Sequence, residues 1–217
     1  MRISILSLLL FISFFATAQN FYLFIGTYTN KGSKGIYVYR FNAAAGTAEW
    51  VSNTDSSANP SYLTIASNGK NIYSVNETPG DEGGKVSAYT FDKTTGQLSL
   101  LNQASTGGDG PCYVSITKNN KWVVVANYGG GSTSVFAVNK DGSLNEYSQL
   151  LQDSGSSANK KRQEKPHVHS AVFSPGQDYL FTPDLGTDKV MIYKFDQDSQ
   201  KPLSPAAPPY VAVAPGN

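Results

Sequence analysis

Two apolar stretches joined by a polar turn decide the fold. They read Gly110-Pro111-Cys112-Tyr113-Val114-Ser115-Ile116 and, after the polar residues 117–121, Trp122-Val123-Val124-Val125-Ala126-Asn127-Tyr128. Short runs rich in β-branched and aromatic residues, bounded by polar turns, are typical of β-strands. The same pattern occurs 51 residues earlier, at 59–77, and again from Pro166, which is 55 residues after Pro111. The chain is therefore built on a repeat of about fifty residues.

The second half of each unit repeats as well. Alternating apolar strands are predicted at 85–91, 134–138 and 189–195, each followed by a polar turn at 92–96, 139–142 or 196–201. One more strand then precedes the next unit. Four short strands per unit at this period indicate an all-β chain in which each unit is one blade of a β-propeller. A β-sandwich or an open meander is the alternative.

The start of the chain enters the repeat out of phase. Residues 21–28 match the second strand of a unit, 36–41 the third and 49–53 the fourth. We therefore expect about four blades, at about 20–57, 58–108, 109–163 and 164–214, with the first lacking its own first strand. This pattern predicts a fragment of a larger ring, since an open ring leaves unpaired sheet edges.

Residues 1–18 are predicted to be a signal peptide. Arg2 precedes an apolar run from Ile3 to Phe15, and the small residues 16–18 resemble a cleavage site. We expect the mature chain to be periplasmic or secreted, with no stable membrane insertion after cleavage. An uncleaved anchor is the alternative.

Composition excludes several classes of function. The net charge of +1 gives the chain no global field that would draw it onto nucleic acid, so no nucleic-acid partner is expected. The single cysteine, Cys112, excludes an internal disulfide and a multi-cysteine zinc site in this sequence. Glycines 129–131 lie between two predicted strands, where a hairpin turn is expected rather than a phosphate-binding loop.

The most informative segment for chemistry is 160–170. It contains both histidines, His167 and His169, which share one side if the segment is a strand. Histidine is the natural general base near neutral pH. The cations Lys160, Lys161, Arg162 and Lys165 precede it and could attract an anionic substrate. A solvated loop with structural histidines is the alternative, as is a metal site completed by Glu164 or Asp184.

Polar residues end the second strand of three successive units. They are Asn76-Glu77, Asn127-Tyr128 and Asp184. Equivalent strand ends of a propeller lie on one face, so these groups are expected to converge on a ligand. Turn chemistry is the alternative for Asn and Asp, which often bond to nearby backbone. Glu77 is the stronger candidate, because Glu is a poor turn residue.

These stretches together resemble the seven-bladed β-propeller lactonases, whose best-known activity is that of 6-phosphogluconolactonase. The matching stretches are 25–29 with 35–39, 59–63, 73–77, 110–114, 125–129, 166–170 with 173–176, and 184–186. The run Pro166-His167-Val168-His169-Ser170 is the most specific. The resemblance implies a ring of seven blades that opens a sugar lactone, in the best-known case 6-phospho-D-glucono-1,5-lactone, a pentose phosphate intermediate.

The resemblance also implies site residues, namely His169, Arg162 and Glu77. We expect His169, Glu77 and Arg162 to be catalytic. His167, Asn127, Tyr128, Asp184 and Lys165 are expected to bind the substrate, which is a small sugar lactone. No metal and no cofactor are expected, and the full-length protein is expected to be a monomer. The alternatives are an exported binding scaffold without catalysis and a metal-dependent aldonolactonase.

Overall fold

A computed structural model describes residues 20–55, 57–78 and 83–216. The predicted signal peptide, 1–18, lies outside the described residues. Fifteen strands form four antiparallel sheets in this part of the chain. Among the described residues, no helix is long and apolar enough to span a membrane. The prediction of an all-β, partial propeller is confirmed.

The four sheets follow one another along the chain. Sheet 1 contains β1 (Asn20–Ile25), β2 (Tyr37–Asn42) and β3 (Thr47–Asn53). Sheet 2 contains β4 (Leu63–Ile65), β5 (Asn71–Asn76), β6 (Lys85–Asp92) and β7 (Gln97–Ser105). Sheet 3 contains β8 (Pro111–Ile116), β9 (Trp122–Asn127), β10 (Ser132–Val138) and β11 (Leu144–Gln152). Sheet 4 contains β12 (Val172–Phe173), β13 (Tyr179–Asp184), β14 (Lys189–Phe195) and β15 (Leu203–Ala212).

Each sheet is a meander, because strands adjacent in sequence are adjacent in space. Sheet 1 has three strands, and its register places Phe21 opposite Phe41. In the last strand pair of every sheet the register shifts, as it does at a β-bulge. Such bulges increase the local twist of the outer strand.

The core lies between neighbouring sheets, and β9 shows how the sequence builds it. Val123 and Val125 pack into the cluster shared with sheet 2, whereas Val124 and Ala126 pack into the cluster shared with sheet 4. Side chains alternate along a strand, so a strand covered on both faces is expected to be apolar at most positions. This double burial explains the continuous apolar run in β9, all of which is buried.

The two-histidine segment differs from the predicted strand. Only Val172 and Phe173 pair as β12, while Val168 makes an isolated bridge to Asp184. The reason is an insertion, since Pro166 lies eight residues before the closing turn at Ser174, whereas Pro111 lies six before its equivalent at Thr117. The extra residues leave His167 and His169 outside the regular ladder.

Candidate active site

One small pocket gathers residues from all four sheets. It has a volume of about 270 Å³ and is lined by Tyr28, Ser61, Glu77, Cys112, Tyr128 and His169. The segment before the first strand of a sheet and the segment after its second strand lie at the same end of an antiparallel sheet. The pocket therefore lies where equivalent ends of the four sheets meet.

Three larger hollows, of about 380, 460 and 590 Å³, lie in the grooves between neighbouring sheets. Within the described residues, their linings include carboxylates but no histidine. The smaller pocket is the better candidate for chemistry, because it combines an imidazole, a carboxylate and several hydroxyl groups at the meeting point of the sheets.

Equivalent positions of three sheets supply one wall of the pocket. A backbone hydrogen bond closes the first turn of sheets 2, 3 and 4, donated by Ala66, Thr117 and Ser174. Counting back five residues from each donor gives Ser61, Cys112 and His169. The structural partner of Cys112 in sheet 4 is therefore His169, whereas alignment on the prolines equates Cys112 with His167.

Glu77 accepts two hydrogen bonds from hydroxyl groups. Tyr28 Oη donates to Glu77 Oε2 at 2.8 Å, and Ser61 Oγ donates to the same oxygen. Asn59 holds the Glu77 backbone, since its carbonyl accepts from Glu77 N and its Nδ2 donates to Glu77 O, both at 3.0 Å. The bond to the Glu77 carboxylate raises the pKa of Tyr28, with burial adding to the effect. Both hydroxyls therefore point toward an anionic group.

Cys112 contributes a thiol to the pocket. Its Sγ lies 3.4 Å from the carbonyl oxygen of His169. Burial, with the negative charge of Glu77 as the second cause, raises the pKa of Cys112 to about 12. The nucleophilic form of cysteine is the thiolate. Cys112 is therefore a neutral thiol at physiological pH and is poorly suited to nucleophilic attack.

Tyr128 lies between the two histidines. Its ring stacks on that of His167, with centroids 4.6 Å apart and planes at 23°. His169 meets the same ring edge-on at 5.5 Å and 87°. His167 is buried and lies outside the pocket lining, whereas His169 is exposed and lines the pocket. The structure therefore gives the two histidines different surroundings.

Asn127 and Asp184, both expected to bind substrate, are buried in the scaffold. Asn127 Nδ2 donates to Ser132 Oγ at 3.1 Å and to Ser134 Oγ at 2.9 Å. Asp184 accepts from the backbone of His167 and Gly186 and from the Thr187 hydroxyl, at 2.7–2.8 Å. The bonds of Asp184 to backbone match the turn chemistry that the sequence left as the alternative, whereas Asn127 bonds to side-chain hydroxyls. Neither side chain lines the pocket.

The basic side chains also lie outside the pocket lining. Arg162 and Lys165 are exposed, as are Lys160 and Lys161. Of the eight predicted site residues, the structure brings His169, Glu77 and Tyr128 together. It places Arg162, His167, Asn127, Asp184 and Lys165 elsewhere.

The sequence reasoning missed three residues of the lining, Tyr28, Ser61 and Cys112. A signal was available for two of them, because Ser61 and Cys112 directly follow the repeated prolines. Among the described residues, no group of three or more His, Cys, Asp or Glu side chains is arranged to hold a metal ion.

Comparison with known proteins gives this site its context. The family model described as "Lactonase, 7-bladed beta-propeller" matches residues 22–217. The chain belongs to the seven-bladed β-propeller lactonase family. The family assignment agrees with the succession of three- and four-stranded antiparallel sheets and with the resemblance carried by the repeated stretches.

Three relatives illustrate the similarity of this lactonase-family chain. The 6-phosphogluconolactonase of Formosa agariphila is 35% identical over 90% of this chain and 56% of its own. A solved structure from Bacteroides fragilis is 40% identical, with a TM-score of 0.87, and the match covers 91% of this chain and 56% of that one. The periplasmic gluconolactonase of Pseudomonas aeruginosa is 38% identical, with a TM-score of 0.83 and coverage of 91% and 56%. The chain spans about half the length of the curated relatives it matches.

Proposed function

We propose that the protein hydrolyses a sugar lactone, with His169 as the general base. The observation that carries the proposal is the pocket itself, in which an exposed imidazole and a hydrogen-bonded carboxylate meet in a lactonase-family fold. Hydrolysis needs a group that accepts a proton from water and a polar environment that stabilises the oxyanion. His169 supplies the first of these near neutral pH.

The proposed reaction proceeds without a covalent intermediate. His169 accepts a proton from water while the water oxygen bonds to the lactone carbonyl carbon. The tetrahedral intermediate then collapses, the bond between that carbon and the ring oxygen breaks, and the protonated His169 returns the proton to the leaving oxygen. The product is an open-chain aldonic acid. The neutral thiol of Cys112 favours this route over an acyl-enzyme, because attack by sulfur would need the thiolate.

The Glu77 carboxylate has a separate role in this proposal. Tyr28 and Ser61 both donate to Glu77 Oε2, so the carboxylate fixes the direction of each hydroxyl. The carboxylate also offsets the positive charge that His169 acquires when it takes the proton from water. We assign Glu77 the role of assisting His169.

Arg162 and Lys165 are proposed to attract the substrate from outside the pocket. Both side chains are exposed and neither lines the pocket, so we do not assign them a contact with the reacting carbonyl. A cluster of cations raises the local concentration of an anion and accelerates its capture. This role matters for a phosphorylated lactone and has little effect on a neutral one.

The substrate class depends on where the protein works. We propose export directed by residues 1–18, and a periplasmic or secreted enzyme would meet unphosphorylated aldonolactones such as glucono-1,5-lactone. Support comes from the similarity to a protein described as a periplasmic gluconolactonase. Similarity to a protein named 6-phosphogluconolactonase supports the phosphorylated substrate of the pentose phosphate pathway instead.

The test is hydrolysis of both lactones, side by side, by the full-length protein with and without EDTA, after subtraction of spontaneous hydrolysis. Faster turnover of one lactone identifies the substrate, and indifference to EDTA supports the mechanism without a metal. Loss of activity in EDTA that Ca²⁺ or Zn²⁺ restores would replace it with a metal-dependent one. No rate above background on either lactone would overturn the proposal and favour a binding scaffold.

A further inference from the structure

His167 has a rigid backbone beside the pocket. Its N–H donates to Asp184 Oδ1 at 2.7 Å, and its carbonyl accepts from Leu185 N at 3.0 Å. Asp184 is itself buried and holds two further donors. Because the backbone of His167 is held on both sides, we expect this residue to affect the pocket through its side chain. The contacts of the imidazole ring therefore define its role.

Two glycine turns fix the segment that leads into His167. Gly131 has a positive φ of 62°, and a side chain there would collide with Pro166. A side chain at Gly186 would likewise collide with the carbonyl of Lys165. Residues 165–167 therefore pack directly against the turns that follow β9 and β13. This packing fixes the position of the His167 backbone next to Tyr128.

The imidazole holds Tyr128 in two ways. Its Nδ1 lies 3.0 Å from the Tyr128 carbonyl oxygen, and because a carbonyl only accepts, Nδ1 is the donor in this contact. The ring also stacks on the phenol ring, while His169 contacts that ring edge-on. Tyr128 and His169 line the pocket, and His167 does not. The Tyr128 ring therefore lies between a buried support and the proposed general base.

Glu164 connects this support to the basic turn. Its Oε1 lies 3.3 Å from His167 Nε2, and the carboxylate is half exposed. A hydrogen bond from its own backbone lowers the pKa of Glu164, and the bond from His167 contributes to the shift. Gln163, which is buried, anchors the same turn by donating to Leu185 O and to Asp188 Oδ1 at 2.8 and 2.7 Å. The turn that carries Arg162 is therefore tied to His167 and to the turn after β13.

We infer that His167 is a positioning residue that holds the Tyr128 ring against His169 and, through Glu164, fixes the turn at 159–165, without touching the substrate. For its kinetic consequences the inference rests on the proposed lactone hydrolysis. Removal of the imidazole opens a void behind Tyr128, so the ring moves and the pocket wall loses its shape. His169 then loses the neighbour that fixes its orientation.

The kinetic test is a double-mutant cycle in the full-length protein, with glucono-1,5-lactone as the probe. His167→Ala is expected to lower kcat/KM by about tenfold, the upper range for loss of a stacked aromatic contact. Because His167 acts through Tyr128, the double variant His167→Ala/Tyr128→Ala is expected to match Tyr128→Ala within about twofold. Multiplying effects would overturn the inference, because they would mean that His167 acts independently of Tyr128.

Glu164→Gln tests the connection to the turn. It is expected to raise KM for 6-phosphogluconolactone by about two- to fivefold, as suits a partly exposed polar contact, while kcat stays unchanged. The matched control is Glu49→Gln, at an exposed glutamate on β3 of sheet 1. Equal kinetics for the two variants would overturn the role assigned to Glu164.

A spectroscopic test remains valid if no lactone is hydrolysed. The ring proton resonances of His169 are assigned from the spectrum of His169→Asn, and their shifts report the position of the Tyr128 ring. His167→Ala is expected to move these resonances, whereas His167→Phe, which keeps a stacking ring and also serves if the alanine variant does not fold, is expected to leave them nearly in place. Unmoved His169 resonances in a folded His167→Ala protein would overturn the inference while leaving the proposed function intact.

Discussion

Tyr28, which follows β1, donates a 2.8 Å hydrogen bond to Glu77, which follows β5, and this bond joins sheets 1 and 2 across the pocket. Its two members are 49 residues apart in sequence. The pocket therefore depends on the correct packing of neighbouring sheets, and changes at either residue report on the site.

Removal of the Glu77 charge is expected to impair catalysis more than removal of its tyrosine partner. Tyr28→Phe deletes one hydrogen bond and should lower kcat/KM by about two- to tenfold. Glu77→Gln also removes the negative charge that, in the proposed mechanism, offsets the positive charge formed on His169, so a loss of about tenfold or more in kcat is expected. Steady-state kinetics on the preferred lactone measures both. A Glu77→Gln variant with unchanged kcat would remove Glu77 from the mechanism.

His169→Ala is expected to lower kcat by about 10²–10⁴, the usual contribution of a general base. His169 is exposed, so its removal leaves no buried void and the unfolding midpoint should stay within about 2 °C, since exposed substitutions rarely change stability. A loss below about tenfold in a protein with unchanged stability would mean that another group takes the proton.

Cys112 is expected to resist alkylation. Its pKa of about 12, against an ordinary value of 9.0, lowers the thiolate fraction at neutral pH by about a thousandfold. Iodoacetamide should therefore react with the folded protein about a thousandfold more slowly than with the urea-unfolded protein. Cys112→Ala should keep most of its activity, because no step uses the sulfur. Rapid alkylation that abolishes hydrolysis would instead indicate a reactive thiol in the site.

The fold could be predicted because the repeat and the apolar alternation are local signals. The run from Trp122 to Ala126 is apolar at every position because both faces of β9 are covered, and the spacing of the copies gives the blade. Neither signal depends on knowledge of how distant parts of the chain meet. Glu77 could be predicted as a site residue from a local signal as well, because glutamate is a poor turn former and is unusual at the end of a strand.

The site could be predicted only in part. Successive side chains of a strand point in opposite directions, so a shift of one position at the strand end reverses the direction of the side chain. Asn76 and Asn127 end β5 and β9 and are buried, whereas the next residues, Glu77 and Tyr128, line the pocket. The sequence contains both members of each pair and no local signal for the direction. Tyr28 could not be found at all, since its role depends on a partner in another sheet.

Asp153 is expected to destabilise the folded protein at neutral pH. It follows β11 in the groove between sheets 3 and 4, where its Oδ2 is buried with no hydrogen-bond partner among the described residues. Burial first, and then the negative charge of Asp184, raise the pKa of Asp153 to about 6 from an ordinary value of 3.8. The folded state therefore binds more protons than the unfolded state between these values.

The sign of the pH dependence follows from linkage. A raised folded-state pKa contributes stability that is fully present below about pH 4 and is lost as pH rises through about 6. Asp153→Asn removes the charge, so at pH 7.5 it should stabilise the protein by ~1 kcal/mol after allowance for solvent screening of a partly exposed group. The unfolding midpoint should rise by about 2–4 °C. At pH 4.5 most of this gain should disappear.

The control for this prediction is Asp178→Asn, which neutralises an exposed carboxylate. It should change the unfolding midpoint little at either pH, because surface substitutions usually alter stability by less than about 0.5 kcal/mol. Thermal unfolding of both variants and the parent, followed at pH 4.5 and 7.5, makes the comparison. A gain for Asp153→Asn that is equal at both pH values would show that burial of the charge is not its cause, since the charge is largely absent from the folded protein at the lower pH.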